Sequence, residues 1–207
     1  MKGTAILFDA ITTRPGTGFP FDVWYANHYL PAVLAGGSYL GVRRYGSPAR
    51  GTYLGVFEAA AQPRAMPAQA SHEAIAQVER YAARQIGERS VQEPGCGVLE
   101  SDFVYPVFFR VPAEREAEFD AWYEQEHLDI LLRCRYWPLC RRFKVIDPGA
   151  GSPTHIALHY LTDLRALESD ERTQARSTPW RDRLAREPWF RGDYQVYYRY
   201  GRAQAAR

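Results

Sequence analysis

The order of apolar and polar residues in the first half of the chain predicts a mixed α+β fold. A β-rich run ends at the turn-forming segment 13–18, and a helix-period pattern that begins near Pro20 stops at Gly36 and Gly37. Two more β-rich runs flank the segment 46–51 and predict a hairpin. The predicted order is strand, helix, strand, strand, helix and strand, over residues 4–12, 20–35, 39–45, 52–60, 67–86 and 97–101.

The second half of the chain shows the same order. Acidic residues in the first turn support a helix that begins at Ala113, and Pro179 and Pro188 interrupt a later helical region. The last strand is expected to close the sheet. The predicted elements lie at residues 103–111, 113–134, 136–146, 154–161, 163–186 and 194–200.

The two halves also share a sequence repeat. The segment FDVWY that begins at Phe21 returns as FDAWY at Phe119, an offset of 119 − 21 = 98 residues. In this register eight of the 25 positions from 21 to 45 are identical, including both members of the Arg-Arg pair at 43–44 and 141–142. Such a repeat indicates two copies of one folding unit. We therefore predict two ferredoxin-like βαββαβ repeats, 1–101 and 102–207, fused into one compact structural unit.

Composition narrows the function classes. The chain of 207 residues carries 26 basic and 24 acidic side chains, so its net charge of +2 gives no sign of a nucleic-acid partner. The arginine-rich stretch 172–191 is interpreted as a solvated helix face, with a phosphate-binding strip as the alternative. Cys96, Cys134 and Cys140 show no CxxC spacing, which favours a reduced, cytoplasmic protein. No apolar segment approaches about 20 residues, so we expect no membrane partner.

The motif of the second repeat resembles a known family. The helix sequence FDAWYEQEHL from Phe119 to Leu128, with the Arg-Arg-Phe strand at 141–143, is similar to EthD-like proteins of the dimeric α+β barrel superfamily. The resemblance implies that the two ferredoxin-like units pack two antiparallel sheets as an intrachain, pseudo-dimeric α+β barrel. Relatives include cofactor-free monooxygenases, polyketide cyclases, isomerases, decarboxylases, dehydratases and haem proteins. Where the family has a histidine, the second repeat has His127 and the first has Tyr29.

Three residues are the candidate catalytic groups. His127 lies beside the apolar stripe of its helix, where an imidazole can take or give a proton. Arg141 shares a strand face with apolar neighbours and needs an acceptor, either a protein carboxylate or an anionic substrate. Tyr123 can polarise a substrate oxygen. A hydrogen-bonded core histidine and a structural ion pair are the competing interpretations of His127 and Arg141.

Six further residues are the candidate substrate-binding groups: Tyr29, His28, Trp122, Arg43, His159 and Trp137. A packed tyrosine beside a surface histidine remains the alternative for the pair 28–29, and a structural ion pair the alternative for Arg43. His159 shares a strand face with His155, which we expect to line the barrel interior. About 13 Å separates two such positions, so they do not chelate one metal together, and no metal site is expected.

These residues favour a cofactor-independent acid–base enzyme of the lyase type, acting on a small aromatic or polyketide-like compound with a histidine as proton shuttle. One alternative is an oxygenase, either cofactor-free or haem-dependent, with His127, His155 or His159 as axial ligand. Another is a non-catalytic binder of a hydrophobic metabolite. The expected cofactor is none, with haem as the alternative, and the expected partners are the small-molecule substrate and, for a homodimer, a second copy.

Overall fold

The structure, a computed structural model, describes residues 2–62, 67–91, 97–201 and 203–206. The strands are β1 (Ala5–Thr13), β2 (Gly41–Ser47), β3 (Thr52–Ala59), β4 (Ile75–Ser90), β5 (Phe103–Phe109), β6 (Leu139–Val145), β7 (His155–Leu161), β8 (Asp193–Tyr194), β9 (Tyr197–Arg199) and β10 (Gln204–Ala205). The helices are α1 (Gly18–Trp24), α2 (Leu30–Ala35), α3 (Glu116–Trp122), α4 (Leu128–Leu131), α5 (Asp170–Ala175) and α6 (Pro179–Leu184). Two π-helical turns, Tyr25–Tyr29 and Tyr123–His127, join α1 to α2 and α3 to α4.

The chain divides into two compact units. The first comprises residues 1–85 together with 197–207, and the second comprises 86–196. The duplication boundary between residues 101 and 102 stays a prediction about the sequence repeat. No helix among the described residues is long and apolar enough to span a membrane.

The sheet of the first unit has the strand order β10–β2–β3–β1–β4, and β9 also pairs with β2. The pairings of β10 with β2, β2 with β3, β3 with β1 and β1 with β4 are antiparallel, and Asp9 of β1 lies directly between Gly55 of β3 and Arg80 of β4. Phe21, Tyr25 and the apolar residues of α2 cover one face of this sheet and form its core. The apolar residues whose helical spacing predicted this helix are the residues that the structure buries against the sheet.

In the second unit β6, β7, β5 and β8 lie side by side, with antiparallel pairing from β6 to β7, β7 to β5 and β5 to β8. Phe119, Trp122 and Tyr123 pack from the helix onto the sheet, and α5 and α6 add Ala175 and Leu184 to the same core. This unit has the full strand–helix–strand–strand–helix–strand order that the sequence predicts. Of the predicted last strand, 194–200, β8 pairs antiparallel with β5, as expected for the strand that closes this sheet, and β9 follows as a separate short strand.

The helix predicted over residues 67–86 is wrong. Residues 75–90 form β4, a 16-residue strand, and 67–74 are an irregular segment. Alanine, glutamate, glutamine and arginine in this stretch favour a helix, but pairing along almost the whole of β1 outweighs that weak propensity. The strand predicted at 97–101 is also wrong, because Val98–Glu100 form a 3-10 turn.

The π-helical turns explain a contact that a regular α-helix does not make. Leu30 and Leu128, the residues after each turn, donate their backbone N–H to the carbonyls of Tyr25 and Tyr123, five residues earlier. This wider turn stacks the ring of Trp24 on that of Tyr29, with centroids 5.8 Å apart. In the second unit it stacks Trp122 on His127, with centroids 4.4 Å apart. Such turns are frequent at functional sites.

The repeated aspartate and second arginine form the same ion pair in both units. Arg44 of β2 pairs with Asp22 of α1, and Arg142 of β6 pairs with Asp120 of α3. The guanidinium of Arg142 also lies 4.6 Å from the ring centroid of Tyr123, the last residue of the FDAWY motif. In each unit the motif joins the helix to the sheet through this ion pair. This structural role explains why the motif occurs in both units, and no catalytic role is needed to explain it.

Candidate functional site

The second unit contains a cavity of about 180 Å³ between the helices and one face of the sheet. Aromatic rings and arginines form most of its wall. A cavity of about 150 Å³ holds a benzene ring, so this space takes roughly one aromatic ring, with further groups at its mouth. The lining residues are Tyr105, Val107, Phe109, Trp122, Tyr123, His127, Leu131, Trp137, His159, Arg172, Arg176, Arg181, Phe190, Gly192 and Tyr194.

His127 is the titratable group at the wall of this cavity that the family resemblance singled out. Its ring stacks on Trp122 and meets the Tyr123 ring edge-on, with centroids 5.1 Å apart. Burial lowers the pKa of His127 to about 3, opposed by a hydrogen bond with the backbone of Ala175 and reinforced by nearby arginines. The imidazole is therefore neutral near pH 7, and its buried Nδ1 has no hydrogen-bond partner among the described residues. A buried nitrogen without a partner is unusual in a folded protein and needs an explanation, such as a catalytic role or a bound water.

Three arginines make the cavity electropositive. Arg172 hydrogen-bonds to the carbonyl of Leu167 and interacts with the hydroxyl of Tyr105, whose pKa burial nevertheless raises. Arg176 forms no ion pair with any residue that the structure describes, and Arg181 approaches only the exposed Asp182, at 4.0 Å. No acidic residue is among the described lining residues. The cavity therefore suits a flat ligand that carries a negative charge.

One hydrogen bond holds the arginine-bearing segment against the helix that carries His127. The hydroxyl of Thr178 donates to Oε1 of Glu126 at 2.5 Å. Oγ1 of Thr178 also caps α6 by accepting a hydrogen bond from the backbone N–H of Arg181. Glu126 is next to His127 in sequence but is engaged with Thr178, as expected for a residue that points away from the imidazole.

His159 closes the inner end of the cavity and is fully buried. Its Nδ1 accepts a hydrogen bond from Nε1 of Trp137 at 3.0 Å, and Sγ of Cys140 lies 4.0 Å from its Nε2. This face of β7 packs beneath the helix, with the His159 ring 6.4 Å from that of Tyr123. The expectation that His155 and His159 line the interior between the two sheets is therefore wrong. Cys134 is free and buried like Cys140, and Cys96 lies outside the described residues.

We expect the protein to lose stability between pH 7 and pH 5, because buried histidines stay neutral in the folded chain. Burial places the pKa of His159 well below 6.5, its ordinary value. Below pH 6.5 the unfolded chain therefore takes up a proton that the folded chain does not. At pH 5 this difference amounts to about 2 kcal/mol for one such histidine, from about 1.4 kcal/mol per pKa unit.

The variant His159→Gln tests this expectation, since glutamine keeps an acceptor for Trp137 but does not titrate. The free energy of unfolding is measured in urea at pH 7 and at pH 5. Its decrease between the two pH values should be smaller by about 2 kcal/mol in His159→Gln than in the wild type. His28→Gln, at an exposed position, should keep the wild-type pH dependence. An identical pH dependence in the wild type and His159→Gln would show that another group is responsible.

The structure brings five of the nine predicted site residues to this cavity and leaves four elsewhere. The five are His127, Tyr123, Trp122, His159 and Trp137. Arg141 lies on the opposite face of β6, above the ring of Phe143, with its Nε 3.8 Å from Oε2 of Glu88.

The remaining three residues lie in the first unit. Arg43 is buried in an ion pair with Glu58, at 3.2 Å, and His28 is exposed. Tyr29 donates to Asp9, with 3.1 Å between the oxygens. The arginines at the cavity are thus not the pair that the repeat singled out but Arg172, Arg176 and Arg181, which the sequence pattern assigned to a solvated face. Their spacing across two helices gave no sign of the shared cavity.

No group of three or more histidine, cysteine, aspartate or glutamate side chains suited to a metal ion occurs in the described parts of the chain.

Solved structures with a similar fold match nearly the whole chain. An anthrone oxidase-like protein matches with a TM-score of 0.71 at 10% identity, over 98% of this chain and 93% of that chain. A ferredoxin-fold protein of Listeria monocytogenes, related to antibiotic biosynthesis monooxygenases, matches with a TM-score of 0.54 at 11% identity, over 97% and 96%. A heme-degrading enzyme of the same species matches with a TM-score of 0.52 at 7% identity, over 94% and 99%.

These similarities confirm the predicted fold class, an α+β chain of the ferredoxin-like, dimeric α+β barrel type. At such low identities they concern the fold alone. No family model matches the chain, and no curated protein matches it in sequence. Membership of the EthD-like family therefore stays a prediction.

The described residues do not fit haem at this site. A porphyrin has four pyrrole rings, whereas about 180 Å³ holds roughly one ring. Both ring nitrogens of His159 are engaged by Trp137 and Cys140. His155 forms a hydrogen bond at Nδ1 with Thr154, at 2.9 Å, and its Nε2 has no partner among the described residues. Its ring lies beneath Phe119, with centroids 5.4 Å apart, and does not line the cavity. His127 has a nitrogen without a partner among the described residues, but the space beside it is too small for the macrocycle.

Proposed function

We propose that the cavity of the second unit is an enzyme active site in which His127 takes a proton from a small aromatic or polyketide-like anion. The observation that carries this proposal is a neutral imidazole, one nitrogen of which has no partner among the described residues, at the wall of an aromatic, arginine-rimmed cavity. A neutral imidazole is in the correct state to accept a proton. The proposal keeps the cofactor-independent chemistry that the sequence favours.

A histidine with a pKa of about 3 is a weak base, so the charges formed by proton transfer need stabilisation. The arginines at the cavity provide it. Proton transfer from the substrate to His127 creates an imidazolium beside a new negative charge on the substrate. Arg176 and Arg181 lie at the same cavity and stabilise that anion, while the anion itself stabilises the imidazolium. Tyr123, whose pKa burial raises, stays protonated and acts as a hydrogen-bond donor. Trp122 and Trp137 position the flat ring.

Two reaction types share this first step. After deprotonation, a lyase, dehydratase or cyclase rearranges the anion, whereas a cofactor-free oxygenase lets the anion react with dioxygen. Similarity to an anthrone oxidase-like protein over 98% of the chain supports the oxygenase as the second candidate. An oxygen electrode separates them, because only the oxygenase consumes dioxygen in proportion to product. The non-catalytic binder predicts saturable binding with no turnover of any compound tested.

We expect the arginines to select charged aromatic ligands. Benzoate should bind more tightly than benzyl alcohol, its neutral analogue, and Arg176→Gln should weaken benzoate binding about tenfold while leaving benzyl alcohol nearly unchanged. Isothermal titration calorimetry at low ionic strength measures both. Arg183→Gln is the matched control, since Arg183 lies on the same segment but is 63% exposed and absent from the cavity wall. Equal losses for both ligands, or for both variants, would contradict a specific anion site.

A further inference from the structure

The first unit has a cavity of its own at one end of its sheet, where the segment that follows β1 meets the turn between β2 and β3. Its volume is about 530 Å³, about three times that of the cavity lined by His127. No described residue lines both cavities. The lining residues of the cavity in the first unit are Thr13, Arg14, Pro15, Gly16, Gly18, Gly46, Ser47, Ala49, Arg50, Gly51, Thr52, Tyr53 and Tyr200.

Two glycines of this cavity correspond to an ion pair of the second repeat. In the 98-residue register Gly18 and Gly46 are equivalent to Glu116 and Lys144. Nζ of Lys144 lies 2.5 Å from Oε2 of Glu116. The register holds in the structure, since α1 and β2 begin 98 residues before α3 and β6. The second unit therefore fills the equivalent place with two long side chains, whereas the glycines leave it open in the first unit.

Two tyrosines form the aromatic wall of the cavity. The rings of Tyr53 and Tyr200 meet edge-on, with centroids 6.1 Å apart. The hydroxyl of Tyr53 donates to the carbonyl of Gly18 at 3.0 Å, and that of Tyr200 donates to Asp22 at 2.9 Å. Because both hydroxyls are engaged, the rings are held in place before any ligand arrives. Such a wall offers apolar ring surface to a flat ligand.

The mouth of the cavity is electropositive. Arg14 and Arg50 are exposed lining residues, and Arg14 forms no ion pair with any residue that the structure describes. No aspartate or glutamate is among the described lining residues. Asp22, which accepts from Tyr200, is paired with Arg44, so its charge is already compensated. Guanidinium groups at an aromatic cavity favour an organic anion over a neutral compound.

We propose that this cavity is a second ligand site, which binds a flat organic anion of about two or three aromatic rings. The size follows from the volume, since about 150 Å³ holds one benzene ring. The rings of the ligand pack on Tyr53 and Tyr200, and its anionic group lies at the mouth with Arg14 and Arg50. The site does not depend on the function proposed for the cavity lined by His127, which is too small for such a ligand.

Fluorescence titration with 8-anilinonaphthalene-1-sulfonate tests the proposal, because this probe combines two aromatic ring systems with one sulfonate. N-phenyl-1-naphthylamine is the same compound without the sulfonate. We expect saturable binding of the sulfonate at one site per chain. Arg14→Gln should weaken the sulfonate about fivefold and leave the neutral compound nearly unchanged. Arg84→Gln is the matched control, since Arg84 is an exposed arginine of the same unit that does not line the cavity.

A second variant, Gly46→Leu, fills the cavity. An added Cβ at Gly46 meets nothing closer than 3.9 Å, and its next neighbour is the ring of Tyr200, at 4.0 Å. The backbone therefore accepts a side chain that points at the aromatic wall. Binding of the sulfonate should fall at least about tenfold, because the leucine takes the place of a ring of the ligand.

Thermal unfolding of each variant checks that it folds, and Gly46→Val replaces Gly46→Leu if the latter does not. Three results would overturn the proposal. The first is undiminished binding of the sulfonate by the folded variant at position 46, which places the probe elsewhere. The second is an equal effect of Arg14→Gln and Arg84→Gln, which removes the specific role of the mouth. The third is no saturable binding of the sulfonate by the wild type.

Discussion

Replacing His127 with glutamine should reduce turnover by at least about a hundredfold, the usual contribution of a general base. Glutamine has a similar size and can form hydrogen bonds, but it cannot take up a proton. Binding of benzoate should change less than about threefold, since the arginines and the aromatic wall are intact. The variant therefore separates the chemical step from binding.

Hydrogen–deuterium exchange measures this step without knowledge of the product. Aromatic and polyketide-like compounds with an acidic carbon–hydrogen bond are incubated with the protein in deuterated water, and exchange at that carbon is followed by NMR. The wild type should accelerate exchange of its substrate, and His127→Gln should not. His72→Gln, a half-buried histidine of the first unit, should behave as the wild type. A loss of less than about tenfold in His127→Gln would rule out His127 as the base.

Replacing Arg43 with methionine should destabilise the protein by about 3–5 kcal/mol, because it removes one member of a buried ion pair. The side chains of Arg43 and Glu58 are 6% and 1% exposed, so water does not compensate for the loss. Glu58 also accepts a hydrogen bond from the backbone N–H of Gly3, at 2.8 Å. Urea unfolding of the variant measures the change.

The double variant Arg43→Met with Glu58→Gln distinguishes an ion pair from a substrate-binding arginine. Glutamine keeps an acceptor for Gly3 and removes the buried charge, so the double variant should recover at least about half of the lost stability. Ligand binding by the folded variants should be unchanged. A stability loss below about 1 kcal/mol for Arg43→Met, together with weaker binding of benzoate, would instead support the substrate role considered from the sequence.

The sequence was sufficient for most of the architecture, because the repeat and the spacing of the buried residues are local signals. The FDxWY motif, the hairpins and the helix before each Arg-Arg pair all lie close to where the pattern placed them. The stretch 67–86 was misassigned because its composition favours a helix, whereas its strand is stabilised by pairing with β1, about 70 residues away in sequence. The intrinsic secondary-structure propensity of a segment contains no information about the strand, here β1, with which it pairs.

The candidate site was predicted in part for a related reason. Tyr123 and His127 lie four residues apart on one helical face, so periodicity grouped these two residues correctly. Arg176 follows α5 and Arg181 lies in α6, about 50 residues further along the chain than His127. The sequence pattern of this region is that of a solvent-exposed helix face, although both side chains line the cavity. The π-helical turn was also missed, since an α-helical projection places Trp122 and His127 about 140° apart, although their rings stack.

The boundary between the two compact units does not coincide with the boundary between the two sequence repeats. The last 11 residues, 197–207, belong to the first unit, and β4 supplies residues to both. A chain cut at the boundary of the sequence repeat would therefore give a first fragment without its closing strands and a second fragment with strands that belong to its neighbour. If the two repeats were separate molecules, this arrangement would be a domain swap. In terms of the predicted repeats, residues 197–207 of the second belong to the first unit, and residues 86–90 of the first belong to the second unit.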